Sequence, residues 1–212
     1  MTEYCEGGNL FDLLHNETYI ELSWGLKLKF LIEISQAMNF LHKNEPKIIH
    51  RDLKPLNILL SSEIKENKNN NHASIKIIDF GLSQTIYKEE EKNNNDNLLK
   101  GIGSAQWMAP EELKCLDGLN EKVDVYSFGI IIWEMITRVP PYKDMEISKV
   151  VNYVCNENGR PDYNLIRNYK DNVPISIFEL MDDCWNKNPD KRPDFEEILK
   201  RLNNIKKCYP FK

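Results

Sequence analysis

The side chains best placed for chemistry lie in the sequence IIHRDLKPLNILL, residues 48–60, where polar residues interrupt two apolar runs. Asp52 lies ahead of the apolar stretch NILL, and Asn57 begins that stretch. A second aspartate, Asp79, directly follows the apolar stretch IKII, residues 75–78. Both stretches are typical of short strands, and the polar segment between them is typical of a hairpin connection. A hairpin of these strands predicts that Asn57 and Asp79 lie close together.

An amide oxygen and a carboxylate oxygen brought together suit a magnesium ion. Mg²⁺ prefers hard oxygen ligands, takes few from the protein, and completes its coordination with phosphate and water. Asp52 then remains beside the metal, where its carboxylate can take a proton from an incoming hydroxyl. Phosphoryl transfer needs a positioned metal and a positioned base, with little covalent chemistry from the protein. The three side chains therefore predict a phosphoryl-transfer site that binds Mg²⁺.

Helices are predicted for most of the remaining chain. Ser23 is a candidate N-cap for a helix that ends near Asn44, because apolar residues follow it at three- and four-residue steps. The sequence VDVYSFGIIIWEMIT, residues 123–137, is apolar on nearly every face, which indicates a central buried helix stopped by the following pair of prolines. A third helix is predicted over residues 195–205. The predicted fold class is mainly α, with short hairpin strands that carry the polar side chains.

Two polar segments interrupt this pattern. They are ENKNNNHAS, residues 66–74, and YKEEEKNNNDN, residues 87–97. Both lack apolar periodicity, and their Asn, Lys and Glu content predicts solvated surface loops.

The bulk composition argues against several function classes. The 212 residues are 41% hydrophobic with a net charge of -5, so a core can form, but a broad basic face for nucleic acid is not predicted. No apolar run reaches the roughly 20 residues of a membrane-spanning helix, and the N-terminus lacks a signal-peptide pattern. The five cysteines show neither metal-ligand nor disulfide spacing. We therefore expect a cytoplasmic protein with reduced thiols.

Three motifs, taken in order, resemble the signature of eukaryotic protein kinases. They are HRDLKPLN at residues 50–57, DFG at residues 79–81 and APE at residues 109–111. The wording of GSAQWMAPE, DVYSFGIIIWEM and CWNKNPDKRPDF is most similar to the tyrosine-kinase-like group of serine/threonine kinases. The resemblance covers essentially the whole chain, residues 1–212. It implies the helical C-terminal lobe of an α+β two-lobe fold.

The resemblance implies roles for the polar side chains described above. Asp52 resembles the catalytic base, within a catalytic loop over residues 48–60, and Lys54 resembles the lysine that steadies the transferred phosphate in serine/threonine kinases. Asn57 and Asp79 resemble the Mg²⁺ ligands. The implied reaction transfers the γ-phosphate of ATP to a hydroxyl of a protein substrate. The implied cofactors are ATP and Mg²⁺.

Residues 1–9 resemble the hinge that joins the two lobes of a kinase. This resemblance implies that Thr2 is the gatekeeper and that Glu3 and Cys5 contact the adenine edge. It also implies that Asn9 contacts the ribose and that Leu59 forms the adenine floor. The glycine-rich loop, strand lysine and helix glutamate that precede the hinge in kinases do not occur in the sequence. We therefore expect a truncated product that is nearly inactive alone and exposes apolar surface where the small lobe would pack.

A catalytically inactive docking or scaffold module is the alternative function, because some relatives of kinases keep the fold without the reaction. A decayed site usually loses its base or its metal ligands first. Asp52, Asn57 and Asp79 are all present, which favours an enzyme.

The implied activation segment, residues 79–111, contains few hydroxyl groups. Arg51, beside the base, resembles the arginine that receives a phosphate from this segment in many kinases. Glu89, Glu90 and Glu91 could supply the negative charge instead. The candidate phosphorylation sites are Ser83, Thr85, Tyr87 and Ser104.

Other implied contacts support the site. Gly81 is expected to give backbone freedom after the metal-binding aspartate. The hydroxyl of Ser104 is expected to hydrogen-bond toward Asp52. Two further contacts are structural and join distant parts of the chain: an ion pair between Glu111 and Arg192, and hydrogen bonds from the backbone of the HRD motif to Asp124.

Overall fold

The structure, a computed structural model, describes residues 3–65, 72–86, 104–167 and 173–208. The predictions about Thr2, Tyr87 and Glu89 to Glu91 lie outside the described residues. The helices are α1 (Leu10–His15), α2 (Trp24–Lys43), α3 (Pro110–Leu113), α4 (Lys122–Thr137), α5 (Ile147–Asn156), α6 (Tyr163–Arg167), α7 (Ile175–Cys184) and α8 (Phe195–Cys208). The strands are β1 (Lys47–Ile49), β2 (Ile58–Leu60), β3 (Ile75–Ile77) and β4 (Gln84–Ile86), with 3-10 turns at Pro55–Asn57 and Pro189–Lys191. The mainly helical fold class is confirmed.

The longest helix, α2, begins and ends where its sequence predicts. Ser23 Oγ accepts a hydrogen bond from the Leu26 N–H at 3.2 Å, and Asn44 is the C-cap. The apolar stripe of α2 packs against α8, which runs three residues beyond its predicted end at residue 205. These two helices form one side of the core.

The central helix, α4, is buried along nearly its whole length, as the apolar sequence predicts. It packs closely on α7 at Gly129, where a Cβ would lie 3.0 Å from the Cys184 Cβ. The helix ends at Thr137, where its predicted sequence ends, and Arg138 follows it in the left-handed conformation at φ 54°. The Arg138 guanidinium donates to the carbonyl oxygens of Leu13 at 2.7 Å and Ile20 at 2.6 Å. Arg138 thereby fixes α4 to the segment around α1.

The predicted hairpin is confirmed, and a second strand pair accompanies it. β2 and β3 are antiparallel, with Ile58 opposite Ile77 and Leu60 opposite Ile75. β1 pairs with β4 in the same way, and this pair was not predicted. β1 leads directly into residue 50, so the two pairs together position both ends of the polar segment.

The prediction of a solvated loop over residues 66–74 is wrong at its C-terminal end. Ala73 is fully buried, and its carbonyl accepts a hydrogen bond from the Lys29 ammonium of α2. The Ser74 N–H donates to Ser61 Oγ at 2.9 Å. A small alanine next to a strand can pack against a helix even when the residues before it are polar.

The described helices include no candidate for a membrane span. None of them is both long enough and apolar enough to cross a bilayer.

Candidate active site

The polar segment after β1 is held by a buried carboxylate on α4. Asp124 accepts hydrogen bonds from the backbone N–H of His50 at 2.9 Å and of Arg51 at 2.8 Å. The predicted role of Asp124 is therefore confirmed. His42 of α2, which the sequence analysis missed, lies 2.7 Å from the same carboxylate through Nε2. Arg51 has a left-handed backbone, φ 66°, a conformation that a non-glycine residue keeps only when its surroundings impose it.

His50 links the two polar loops of the site. Its Nε2 donates to the Ile78 carbonyl at 3.1 Å, and its Nδ1 accepts from the Asp52 N–H at 3.2 Å. These contacts assign the proton to Nε2 of a neutral ring. The ring also packs against Phe80, with centroids 5.0 Å apart. His50 thus fixes the backbone of Asp52 relative to the segment that follows β3.

Asp52 is buried, with one carboxylate oxygen held by hydrogen bonds and the other without a partner among the described residues. Oδ2 accepts hydrogen bonds from Lys54 Nζ and from Asn57 Nδ2, both at 2.8 Å. Oδ1 is buried and has no hydrogen-bond partner within the described ranges. A buried oxygen without a partner is costly unless a ligand supplies the donor. Oδ1 is therefore an unsatisfied acceptor, which a donor from a bound ligand could satisfy.

Lys54 connects Asp52 to the segment ahead of α3. Besides its contact with Asp52, the Lys54 ammonium donates to Ser104 Oγ at 2.6 Å. The expected hydrogen bond from Ser104 toward Asp52 is wrong as a direct contact, because within the described part of the chain the serine reaches Asp52 through Lys54. The ammonium can donate up to three hydrogen bonds, so it can bond both Asp52 and Ser104 at the same time.

Asn57 and Asp79 have the donor atoms that Mg²⁺ requires. Asn57 Nδ2 donates to the backbone oxygen and to Oδ2 of Asp52, both at 2.8 Å, so its amide oxygen points away as an acceptor. The Ile78 N–H donates to the Asn57 carbonyl at 2.9 Å, which places the residue before Asp79 beside Asn57. Asp79 is exposed. These oxygen donors fit Mg²⁺, which completes its shell with phosphate and water.

Gly81 follows an aspartate with an unusual backbone conformation. The residue with the left-handed backbone is Asp79 itself, φ 67°, whereas Gly81 keeps an ordinary φ. Asp79 Oδ1 accepts the Gly81 N–H at 3.2 Å, and a Cβ on Gly81 would lie 3.1 Å from that oxygen. Glycine therefore allows the close approach of its own backbone to the carboxylate.

The segment that resembles a hinge lies along β2. The Gly7 N–H donates to the Leu60 carbonyl at 3.1 Å, and a Cβ on Gly7 would lie 2.3 Å from the Ser62 carbonyl oxygen. Glu3 is exposed and pairs with Lys76 of β3. Cys5 is half-buried. The glycine makes the close backbone contact possible, and the adenine-edge roles of Glu3 and Cys5 stay predictions.

Asn9 and Leu59 are brought side by side by a bridge between their backbones. Leu59 is half-buried and lies on the face of β2 opposite the buried Ile58 and Leu60. The Asn9 side chain caps α1, because Oδ1 accepts the Asp12 N–H at 2.9 Å and Nδ2 donates to Asp12 Oδ2 at 2.7 Å. The predicted floor of Leu59 is compatible with this placement. A ribose contact by Asn9 would compete with its capping bonds.

The predicted ion pair between Glu111 and Arg192 is confirmed. The two guanidinium nitrogens lie 2.5 and 2.9 Å from the two carboxylate oxygens. Arg192 is 2% exposed and also donates to the carbonyl oxygens of Asn186 and Lys122. The bidentate pair joins α3 to the segment before α8, and the bond to the Lys122 carbonyl extends this link to the start of α4.

A second buried carboxylate, Glu134 of α4, was missed. It accepts Trp107 Nε1–H at 2.8 Å and lies 2.7 Å from His15 Nε2 of α1. Burial raises the pKa of the Glu134 carboxyl above its usual range. An acidic residue inside the apolar stretch IIIWEMIT of α4 was the available signal. Glu134 joins α1 to the segment around Trp107, which precedes α3.

A third buried carboxylate, Glu112 of α3, was also missed. It is 3% exposed, and its Oε1 accepts Arg51 Nε–H at 3.2 Å. Burial raises the pKa of Glu112 to about 7, although the Arg51 charge acts in the opposite direction. The pair therefore joins the polar segment to α3.

The raised pKa of Glu112 predicts a dependence of stability on pH. The folded chain keeps the Glu112 proton up to about pH 7, whereas the ordinary pKa is 4.5. The stabilisation from this proton is complete below pH 4.5 and is lost as the pH rises through 7. It amounts to about 3 kcal/mol.

Glu112→Gln, which has no proton to lose, should gain stability relative to the wild type by about this amount between about pH 4 and about pH 8. Urea unfolding at several pH values measures this difference. A difference that stays constant with pH would contradict the prediction.

Comparison with known proteins identifies the family. The sequence profile of the family described as protein tyrosine and serine/threonine kinase matches residues 1–202. A probable serine/threonine-protein kinase of Dictyostelium discoideum is 39% identical over 205 residues, which are 97% of this chain and 20% of the relative. A putative serine/threonine-protein kinase/receptor of Acanthamoeba polyphaga mimivirus is 37% identical over 204 residues, which are 96% of this chain and 12% of the relative.

A third relative carries a different description. Cyclic GMP-binding protein C of Dictyostelium discoideum is 36% identical over 211 residues, which are 98% of this chain and 7% of the relative. The chain thus spans one fifth or less of the length of these relatives. Because the profile covers nearly all of it, the chain belongs to the protein tyrosine and serine/threonine kinase family.

Proposed function

We propose that the full-length protein is a serine/threonine protein kinase and that this chain forms its large, helical lobe. The observation that carries the proposal is the state of Asp52: Oδ2 is held by Lys54 and Asn57, while the buried Oδ1 has no hydrogen-bond partner among the described residues. A carboxylate in this state is oriented and ready to accept a proton. In this proposal residues 1–9 are the hinge, 48–60 the catalytic loop and 79–111 the activation segment.

Each side chain of the site has a distinct part in the proposed reaction. Asp52 Oδ1 orients the substrate hydroxyl and accepts its proton as the hydroxyl oxygen bonds to the γ-phosphorus of ATP and the bond from that phosphorus to the ADP oxygen breaks, so that ADP leaves. The Lys54 ammonium lies 2.8 Å from Asp52 and can place positive charge beside the transferred group. Asn57 and Asp79 would hold Mg²⁺, which neutralises charge on the phosphates when bound. Thr2, Glu3, Cys5, Asn9 and Leu59 are the proposed nucleotide contacts.

The kinase group and the cellular compartment of the protein are also proposals. The sequence similarity of CWNKNPDKRPDF and GSAQWMAPE supports membership in the tyrosine-kinase-like group. The presence of lysine at position 54 supports serine and threonine over tyrosine as acceptors. All five cysteines are free, which supports a reducing compartment such as the cytoplasm. The proposed partner is a protein substrate.

The identity of the phosphorylated amino acid tests the proposal. The purified full-length protein is incubated with Mg²⁺ and ATP labelled at the γ-phosphate, together with a general protein substrate. Acid hydrolysis of the product should yield labelled phosphoserine or phosphothreonine. Label in phosphotyrosine alone would contradict the acceptor class. ATP binding without any labelled protein would favour the docking module.

A further inference from the structure

Arg51 is held at two points on different elements. Its backbone N–H donates to Asp124 of α4 at 2.8 Å, and its Nε–H donates to Glu112 of α3 at 3.2 Å. The left-handed φ of 66° persists because contacts around the residue impose it. Since Asp52 directly follows Arg51, any change in this backbone also moves the carboxylate of Asp52.

Glu112 is a buried carboxylate, and the charged groups around it show which residue pairs with it. The charged groups that face it are Arg51 from the polar segment, Asp124 from α4 and Glu111 from its own helix. Only Arg51 among these three is a cation. Fully buried carboxylates are rare unless they are paired. Arg51 is therefore the group that allows an ionised Glu112 at this place.

From this geometry we infer that Glu112 is a positioning residue for the proposed phosphoryl transfer. Its carboxylate neutralises and holds Arg51, and through Arg51 it keeps the backbone of Asp52 in the reactive position. The inference deepens the proposed function and rests on it. It also means that the protein needs no phosphate on its activation segment to hold Arg51.

Two independent observations support this independence from phosphate. Residues 87–103 contain no serine or threonine, and Tyr87 is their only hydroxyl. A phosphate that approached Arg51 would also approach the carboxylates of Glu112 and Asp124, which would repel it. The earlier suggestion of Glu89 to Glu91 as the source of negative charge stays a prediction. Glu112 supplies that charge from within the described structure.

The test compares Glu112→Gln with a matched surface change in the full-length protein. Glutamine keeps the size of the side chain and removes its charge. We expect Glu112→Gln to lower kcat about 10-fold, with the KM for ATP changed less than about twofold, because Glu112 is part of neither nucleotide contact nor base. Glu146→Gln, at an exposed glutamate near Lys149, should leave both constants unchanged. Glu112→Asp keeps the charge and should give a kcat between the two.

Two further measurements separate positioning from a general loss of structure. In an Arg51→Gln background, the Glu112→Gln substitution should have little additional effect on kcat, because the two residues act as one unit. The kcat of the wild type should also fall as the pH is lowered through about 7, where Glu112 gains its proton. Glu112→Gln should lack this fall. A merely structural role would not remove it.

Treatment with a broad-specificity protein phosphatase completes the test. The wild type should keep its kcat after treatment with the phosphatase. A Glu112→Gln variant as active as the wild type, or a wild type inactivated by the phosphatase, would overturn the inference while the proposed function stands. A wild type that transfers no phosphate at all overturns the proposed function itself, and the inference with it.

Discussion

Asp52→Asn in the full-length protein is expected to lower kcat for phosphoryl transfer by about 10²- to 10⁴-fold. An amide cannot take the proton of the substrate hydroxyl. Its NH₂ group would also face either the Lys54 ammonium and the Asn57 NH₂, which are donors themselves, or the substrate hydroxyl at the Oδ1 position. The affinity for ATP should change little, because Asp52 is not among the proposed nucleotide contacts. Initial rates and equilibrium nucleotide binding measure the two effects separately.

Asp117→Asn is the matched control for this experiment. Asp117 is exposed in the loop after α3, so the same chemical change there should leave kcat unchanged. A variant of Asp52 that keeps half of the wild-type kcat would show that another group accepts the proton.

Asp124→Asn is expected to lower the free energy of unfolding by about 3 kcal/mol, which is the largest loss of stability expected from any of these substitutions. The buried carboxylate accepts hydrogen bonds from the N–H groups of His50 and Arg51 and lies 2.7 Å from His42 Nε2. Asparagine can accept on one side only, and its NH₂ would face a donor on the other. Because the backbone of Arg51 would then be less firmly held, kcat should fall about 10-fold or more as well. Urea unfolding and initial rates measure both effects.

Asp183→Asn is the control for the loss of a carboxylate from an ion pair. Asp183 lies 2.7 Å from Arg201 at a half-exposed position. Pairs of this kind contribute less than about 1 kcal/mol. Equal destabilisation by the two substitutions would contradict the assigned role of Asp124.

Features with a local sequence signal could be predicted. The cap at Ser23, the apolar sequence of α4 and the β2–β3 hairpin each depend on neighbouring residues, and the structure confirms all three. The contacts of Asp124, Glu111 and Arg192 are distant in sequence and were expected only because the motifs resemble those of a known family. Local pattern and resemblance therefore contributed different parts of the prediction.

The missed contacts join residues that no short pattern connects. Glu134 meets His15 and Trp107, and Glu112 meets Arg51, through pairings that only the packed fold creates. The motif APEEL gives no sign that its second glutamate is buried against a cation. Such pairs can be found only when burial and side-chain direction are known together.

The contacts around Asp52 and Asp79 were also predicted only in part. Gly81 was expected to give backbone freedom, and the structure adds that Asp79 has the left-handed backbone and that its carboxylate accepts the Gly81 N–H. Likewise, Lys54 reaches between Asp52 and Ser104 and replaces their expected direct contact. Motif spacing indicated which residues meet, and side-chain length decided which atoms bond.

A single-turnover measurement tests the central claim most directly. The full-length protein is in excess over ATP labelled at the γ-phosphate, and Mg²⁺ is present in saturating amount. This mixture is combined with a protein substrate, and the products are followed in time. ADP and phosphorylated protein should form at the same rate, and Asp52→Asn should slow both together. ATP that stays bound and intact, with neither product formed, would contradict phosphoryl transfer at this site.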